Sequence, residues 1–467
     1  MKQESHYFSG GSVKGGRNMN EENTQLMTVG DYRKKIILFA IPLFIGNLFQ
    51  QMYNTADSLI VGNLLGAQAL AAVSGVSSLV YLFVGFFQGF STGAGVIIAR
   101  FIGAQKEEDT SRSVHTAVCL GIILSVIMTL IGYFFSPEIL KFMGTPDDVF
   151  PLSKTYLQIY FLGFSGLVMY NTFTGILQAT GDSKHPLYYL VISSVINVVL
   201  DIFLIGVVGM NVEGAAYATI LSEILTAVLA GYRLIKNTGP TQLHLSKLKM
   251  DGECLKQIVR YGFPTALQAS VIDISNILIQ SYINSFGSLA MAGIGASTKV
   301  EGFIFLPVTA FSMAMTTYIS QNMGAEEYKR VKGGIRFGYF AALSIIFVFG
   351  VILYLFAPTI ISFFNNDPEV IGYGVGRVRI CAIFYLLVGY SHISSAVCRG
   401  LGKPAAPMVV MLVCWCAVRV GVLFTIGQVF HNILLAYWIY PITWTLSTIT
   451  FLIYIHKVEK NVLPLDK

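Results

Sequence analysis

The chain has 467 residues, 54% of them hydrophobic and 12% charged, with 31 Lys and Arg against 25 Asp and Glu for a net charge of +6. An average soluble domain is about one quarter charged, so this composition excludes an ordinary soluble protein and points to the bilayer. The positive charge does not mark a nucleic-acid binder, because the basic residues cluster in the connections between long apolar runs.

Residues 1–34 are polar and rich in Gly, Ser and Asn, with no apolar core region and no small-residue cleavage pattern. A disordered cytoplasmic tail is expected there, not a cleaved signal peptide. Apolar stretches of about 20 residues, enough to cross roughly 30 Å of hydrocarbon, then recur to the end of the chain. They predict six helices over 36–62, 70–98, 113–135, 151–178, 187–209 and 213–235, forming a lobe at 35–235. The stretch 236–256, with Gly239-Pro240, Lys247 and Lys249, reads as a cytoplasmic linker. Six further helices follow over 258–284, 288–320, 334–356, 372–398, 404–428 and 431–455, forming a second lobe at 257–456 before a cytoplasmic tail at 457–467.

Twelve spans place both termini on one side of the membrane. Of the 31 Lys and Arg, 25 fall in the two tails and the even-numbered connections. The opposite side holds only Lys141, Lys154, Arg377 and Arg379, while Lys299 and Arg419 fall within helices. By the positive-inside rule both termini are expected in the cytoplasm, in a multi-pass inner-membrane protein.

Sliding the sequence against itself by 221 residues brings Asn63 onto Asn284, Gly66 onto Gly287, Gly103-Ala104 onto Gly324-Ala325, Pro137 onto Pro358 and Gly181 onto Gly402. Each repeat has an even number of helices, so the two lobes share one orientation and are related by a pseudo-two-fold axis along the membrane normal. The expected fold is an all-α polytopic membrane protein of two six-helix lobes. Such lobes enclose a cleft at their interface, which alternating access requires.

Charged groups at the bilayer centre cost about 2.5–3.5 kcal/mol on insertion scales, so each intramembrane one is a functional candidate. The first lobe offers Asp57 and Asp201, with Glu223; the second offers Asp273, Lys299, Glu301 and Arg419. Asn197 and Asp201 stand four apart and share a helix face, and Gln50, Asn54 and Asp57 form a polar stripe on the first helix. With Thr219 on the sixth helix these residues supply oxygen ligands suited to sodium. Two close carboxylates equally suit a proton, because both cannot ionise cheaply in a low dielectric. A satisfied hydrogen-bond network joining two helices is the structural alternative. In the second lobe, pairs Asp273–Lys299 and Arg419–Glu301 are expected across a charge cluster.

The stretch from Pro42 to Ala72, containing Gln50-Gln51-Met52-Tyr53-Asn54-Thr55-Ala56-Asp57, resembles the first helix of MATE (multidrug and toxic compound extrusion) exporters. The likeness continues through Gly103-Ala104-Gln105, Gln178-Ala179-Thr180-Gly181-Asp182 and the second half. In the prokaryotic DinF-like branch an Asp in helix 1, an Asn-x-x-x-Asp pair in helix 5 and a Thr in helix 6 form the cation site of the first lobe. The resemblance implies this role for Asp57, Asn197, Asp201 and Thr219, as Na+ ligands if coupling is to sodium. It also implies a monomer that exports drug-like, often cationic and aromatic, compounds in exchange for Na+ or H+.

Tyr53, Tyr156, Tyr160, Met169 and Tyr170, with Gln50, Gln51 and Asn54, are the candidate cleft wall, since aromatic and thioether groups adapt to varied ligands. No phosphate-binding loop, metalloprotease His pair or nucleophile elbow occurs. An ion gradient is therefore the expected motor, and neither an enzyme nor a cofactor beyond the coupling ion is expected. The six cysteines have no metal or redox spacing, and His115 and His392 are expected to be satisfied polar residues. The alternative on the same fold is a flippase for a lipid-linked or other amphipathic substrate, which for an anionic headgroup calls for several Arg and Lys in the cavity. Only Lys299 and Arg419 meet that description in the sequence.

Overall fold

The computed structural model describes residues 26–463, and among these there is no strand. The first lobe contains α1 (Tyr32–Leu65), α2 (Ala67–Gly103), α3 (Glu107–Phe142), α4 in two pieces (Phe150–Leu162 and Phe164–Ala179), α5 (Lys184–Asp201, continued by a π turn at Ile202–Val207) and α6 (Val212–Lys236). The second contains α7 (Gly252–Asn284), α8 (Ser288–Gly324), α9 (Tyr328–Ser362), α10 (Pro368–Gly400), α11 (Ala405–Met411, a π turn at Leu412–Ala417, then Val418–Val429) and α12 (Ile433–Val462).

Ten of these helices are long and apolar enough to cross a membrane, and the two pieces of α4, bent by 47°, together make an eleventh. The bend falls at Gly163, where any Cβ would collide with Ile220 of α6. The twelfth, α7, has 33 residues but is less apolar because it spends polar side chains on its neighbours. Gln268 donates to Ser395 Oγ at 3.2 Å and Ser275 to the Trp415 carbonyl at 2.5 Å.

The repeat is written into the backbone. Adding 221 to the bounds of α2 gives those of α8. The left-handed positions recur at the same interval: Gly66 and Gly287 (φ 88° and 93°), Gln105 and Glu326 (55° and 57°), Gly181 and Gly402 (92° and 87°). The glycines adopt this region freely, whereas Gln105 and Glu326 hold it at a cost where the chain turns out of α2 and α8.

Helices α1, α3, α7 and α9 begin four to six residues before the predicted starts. Their first turns are polar and lie beyond any apolar window. Three acids, Glu107, Glu108 and Asp109, sit in the first turn of α3, where they complement the helix dipole. Asp31 caps α1, and Asp251 caps α7 by accepting from the N–H groups of Glu253 and Cys254 at 3.0 and 2.9 Å. The Cys254 N–H in particular holds the Asp251 carboxyl below its usual pKa.

The expected disordered tail is corrected over residues 26–34. Met27 is 1% exposed, donates its N–H to Gln321 Oε1 at 2.8 Å, and accepts from Arg330 Nη2 at 3.0 Å, so this segment is strapped to the second lobe before α1 begins. The rest of that tail lies outside the described residues. The C-terminal tail is likewise helical to Val462.

The first halves of α1 and α7 cross to the opposite lobe. Ile36, Phe39 and Leu43 pack with Phe311, Tyr318 and Ile335, while Ile258 joins Ile98, Val114 and Leu177. The lobes meet there, on the half nearer the termini. Arg100 donates to the Gly400 carbonyl and to Tyr261 Oη at 2.9 and 3.0 Å, Gln321 to the Ala179 carbonyl at 2.7 Å, and Asn47 to Thr309 Oγ1 at 3.2 Å. Gly89 and Gly93 of α2 lie directly on the α7 backbone; a Cβ on Gly89 would sit 2.6 Å from Ala266 Cα. Towards the other end the lobes diverge around a cleft of about 470 Å³. Exposed Phe134, Phe135, Val199, Phe347, Leu355 and Ile453 lie on the outer surface, as a lipid-facing belt requires.

Candidate functional site

Helix α1 carries a polar stripe along the first-lobe wall of the cleft. Gln50, Gln51, Tyr53, Asn54 and Asp57 all line it, joined by Tyr156 and Tyr160 from α4 and by Thr219 and Glu223 from α6. A smaller cavity of about 120 Å³ extends from it into the first lobe, lined by Tyr170 and Asn197 among others, and Glu223 borders both spaces. Met169 is turned away: its Sδ faces Gly121 of α3.

Asn197 and Asp201, one turn apart on α5, are 1% and 0% exposed. The π turn starts immediately after Asp201, and such insertions often mark functional positions in helices. The carboxyls of Asp57 and Asp201 lie close enough to interact. Around them, polar atoms are left without partners. Asp57 Oδ1, both Asp201 oxygens and both polar atoms of the Asn197 amide are buried with no hydrogen bond. The Thr219 hydroxyl donates to the Ala215 carbonyl at 3.0 Å, so what it can offer a ligand is lone pairs.

Buried polar groups are nearly always paired, and an ionised carboxylate in a low dielectric is far costlier than a neutral one. This arrangement therefore suits a positive charge, either a proton between the two carboxyls or a small hard cation among carboxylate, amide and hydroxyl oxygens. Among the described residues no three His, Cys, Asp or Glu side chains gather into a transition-metal ligand set. Glu223 adds a third acid. Its Oε2 is also buried without a partner, and Tyr53, Tyr156 and Tyr160 lie close by.

The second lobe departs from expectation. Neither expected pair, Asp273–Lys299 or Arg419–Glu301, forms. Glu301 instead accepts from Arg377 Nη2 at 2.7 Å and Tyr385 Oη at 2.8 Å. Arg377 also donates to Ser297 Oγ at 2.7 Å and lies 4.9 Å from the Tyr440 ring centroid. The charge count assigns Arg377 to the membrane side opposite the termini, near the start of the expected helix 372–398; α10 starts at Pro368 and carries it two and a half turns into the bundle. Arg419 donates to Thr443 Oγ1 at 2.9 Å and stacks over Tyr440 and Trp415 at 4.7 and 5.0 Å. Lys299, two residues from Glu301 on α8, points the other way and is exposed, as the helical period demands. Asp273 stands apart at the lobe contact, against Gly85 of α2.

His115 is satisfied as expected, by the Ser111 carbonyl at 2.7 Å and the His244 N–H at 3.2 Å. His392 differs. It faces the cleft beside the rings of Phe305 and Trp415, and Arg399 lines the same wall. Sequence reading put Arg399 in a cytoplasmic connection because it follows the apolar run. The signal that locates it is the repeat, since 221 residues earlier stands the cavity-lining Gln178.

The sequence profile of the MatE family matches this chain twice, over residues 42–203 and 264–425. The chain is 31% identical over 436 residues to the probable multidrug resistance protein YoeA of Bacillus subtilis, covering 92% of this chain and 94% of that protein. It is 28% identical to the probable multidrug resistance protein NorM of Thermotoga maritima, covering 88% and 89% of the two chains. In fold it matches a structure described as an outward-facing multidrug resistance MATE family transporter of the MOP superfamily, with a TM-score of 0.86, 24% identity, and coverage of 93% and 97%.

Proposed function

The chain belongs to the MatE family, and from that premise we propose that it is a secondary antiporter that exports drug-like organic compounds in exchange for an inward-moving Na+ or H+. One observation carries the ion half of this reading: the buried, unpartnered oxygens of Asp57, Asn197 and Asp201. They make the first lobe a place where a positive charge is stabilised. The cleft, with its aromatic and amide lining, receives the organic substrate. Both termini lie in the cytoplasm of a cell whose inner membrane the protein spans as a monomer, so the closed half faces inward and the cleft opens outward. An ion arriving from outside then reaches the state that also releases substrate.

Coupling requires the ion to prefer one conformation; moving a two-state equilibrium from 1:99 to 99:1 takes about 5.5 kcal/mol of differential binding. A site whose ligands come from α1, α5 and α6 has that property, because filling it changes how α1 sits against its neighbours. The test is efflux of a fluorescent organic cation from proteoliposomes under an imposed inward sodium gradient or an inward proton gradient. Efflux driven by one of them and lost in Asp201→Asn supports the reading. Efflux that neither gradient accelerates overturns it.

A further inference from the structure

The central cleft has acids on one wall and basic groups on the other. Asp57 and Glu223 face it from the first lobe, Arg399 and His392 from the second. Arg377 is paired with Glu301, but Arg399 has no carboxylate partner among the described residues. Its Nη1 reaches Gln268 Oε1 at 3.5 Å, a distance too long for a good hydrogen bond, and its Nε is shielded from solvent with no acceptor. Ser312, on the same wall, has a buried hydroxyl that is also unpartnered.

Unpaired guanidinium groups within a membrane bundle are costly, and they persist where they meet an anion or a water-filled path. The shared architecture does not call for a charge at this position, because the first repeat fills it with neutral Gln178. We propose that Arg399, assisted by the Ser312 hydroxyl, anchors a carboxylate or phosphate group of the transported molecule. The planar guanidinium fork matches the paired oxygens of either group. The cleft thus accepts organic anions, and molecules carrying both charges lie across it with the cationic end towards Asp57 and Glu223. This rests on reading the cleft as the substrate chamber.

Equilibrium binding to the purified full-length protein, with no ion gradient, tests the anchor separately from coupled export. The probes are 2-naphthoate, 2-naphthyl phosphate and 2-naphthylmethylammonium, which share a fluorescent ring and differ in charge. In Arg399→Gln the ratio of anion to cation affinity is expected to fall about tenfold or more, the usual scale for a lost charge-assisted hydrogen bond. Arg399→Lys is expected to recover part of it for the phosphate. An unchanged ratio in Arg399→Gln overturns the proposal, as does equal loss of all three probes in both variants. A further arm with dioctanoyl phosphatidate identifies the source of the anion. Tighter binding than naphthyl phosphate, with the same loss in Arg399→Gln, supports the anchor as a lipid-headgroup site; the reverse order supports it as a site for free solutes.

Discussion

The two lobes share one backbone plan and treat the carboxylates buried in their bundles differently. In the first lobe the acids Asp57, Asp201 and Glu223 keep oxygens with no donor. The second lobe has Val422 and Trp444 at the 221-residue offset from Asp201 and Glu223, and Leu278 and Ile279 where α1 has Asp57, so this acidic set is not repeated there. It has instead Glu301, Arg377 and Arg419, whose counterparts are Val80, Tyr156 and Val198. There the carboxylate has two donors and each guanidinium lies over an aromatic ring. A carboxylate with two donors gains little from a cation, whereas carboxylates with none suit a mobile positive charge; the unmet polar atoms of the second-lobe cluster, Arg377 Nε and Arg419 Nη2, are donors and offer a cation nothing. On the proposed antiport reading, switching falls to the first lobe and framing to the second.

The largest expected effect breaks the first side of this comparison. Asp201→Asn removes the charge while keeping the shape, so ion-driven efflux should fall to background in the liposome assay. Thermal unfolding should be unchanged or shifted upward, since a buried unpaired carboxylate has been replaced by a neutral amide. The mirror experiment is Arg377→Met. It leaves Glu301 buried with one donor, and stability should drop by about 3–5 kcal/mol, the typical cost of stranding one partner of a buried ion pair. Adding Glu301→Leu should recover much of that loss. Recovery of stability without loss of ion dependence would confirm that this cluster is framework.

Much of this contrast was legible before any coordinates. The helix count and the repeat follow from apolar run lengths and a constant offset, and the i, i+4 spacing puts Asn197 and Asp201 on one helix face, while the role of Asp57 and Thr219 beside them is what the MATE resemblance implies. The second-lobe partners were not legible, because Arg377 and Arg399 sit near predicted helix ends and hydropathy cannot tell an arginine in the last turn of a long helix from one in a loop. Helices that extend beyond the hydrocarbon by four to six residues blur that distinction. The strap at Met27 was hidden for a related reason: its anchors, Gln321 and Arg330, lie about 300 residues away. Local pattern carries no trace of such a contact.

A smaller effect is expected where the lobes touch. Gly93→Leu would push α2 off the α7 backbone at Gly262, and Arg100→Gln would remove the bonds to Gly400 and Tyr261. Both should favour the conformer that is closed at the other end. Spin labels at Leu64 and Leu289, exposed near the cleft mouth, should report a shorter distance population. For Arg100→Gln two lost hydrogen bonds correspond to a shift of about tenfold in the equilibrium. An unchanged distance distribution in both variants would show that these contacts do not hold the cleft open.

The smallest effect separates the two ion chemistries. Thr219 already spends its proton on the Ala215 carbonyl, so to an ion it offers only lone pairs. A sodium ion among the oxygens of Asp57, Asn197 and Asp201 gains a ligand from it; a proton shared between Asp57 and Asp201 does not need one. Thr219→Val keeps the shape and removes the oxygen. Under sodium coupling the sodium concentration for half-maximal efflux should rise several-fold, about the 0.5–1.5 kcal/mol of one modest polar contact, while proton-driven efflux should be unchanged. If Thr219→Val leaves sodium dependence intact and Asp201→Asn still abolishes efflux, the two carboxyls act as a protonation switch, and the contrast between the lobes reduces to one proton without a fixed partner.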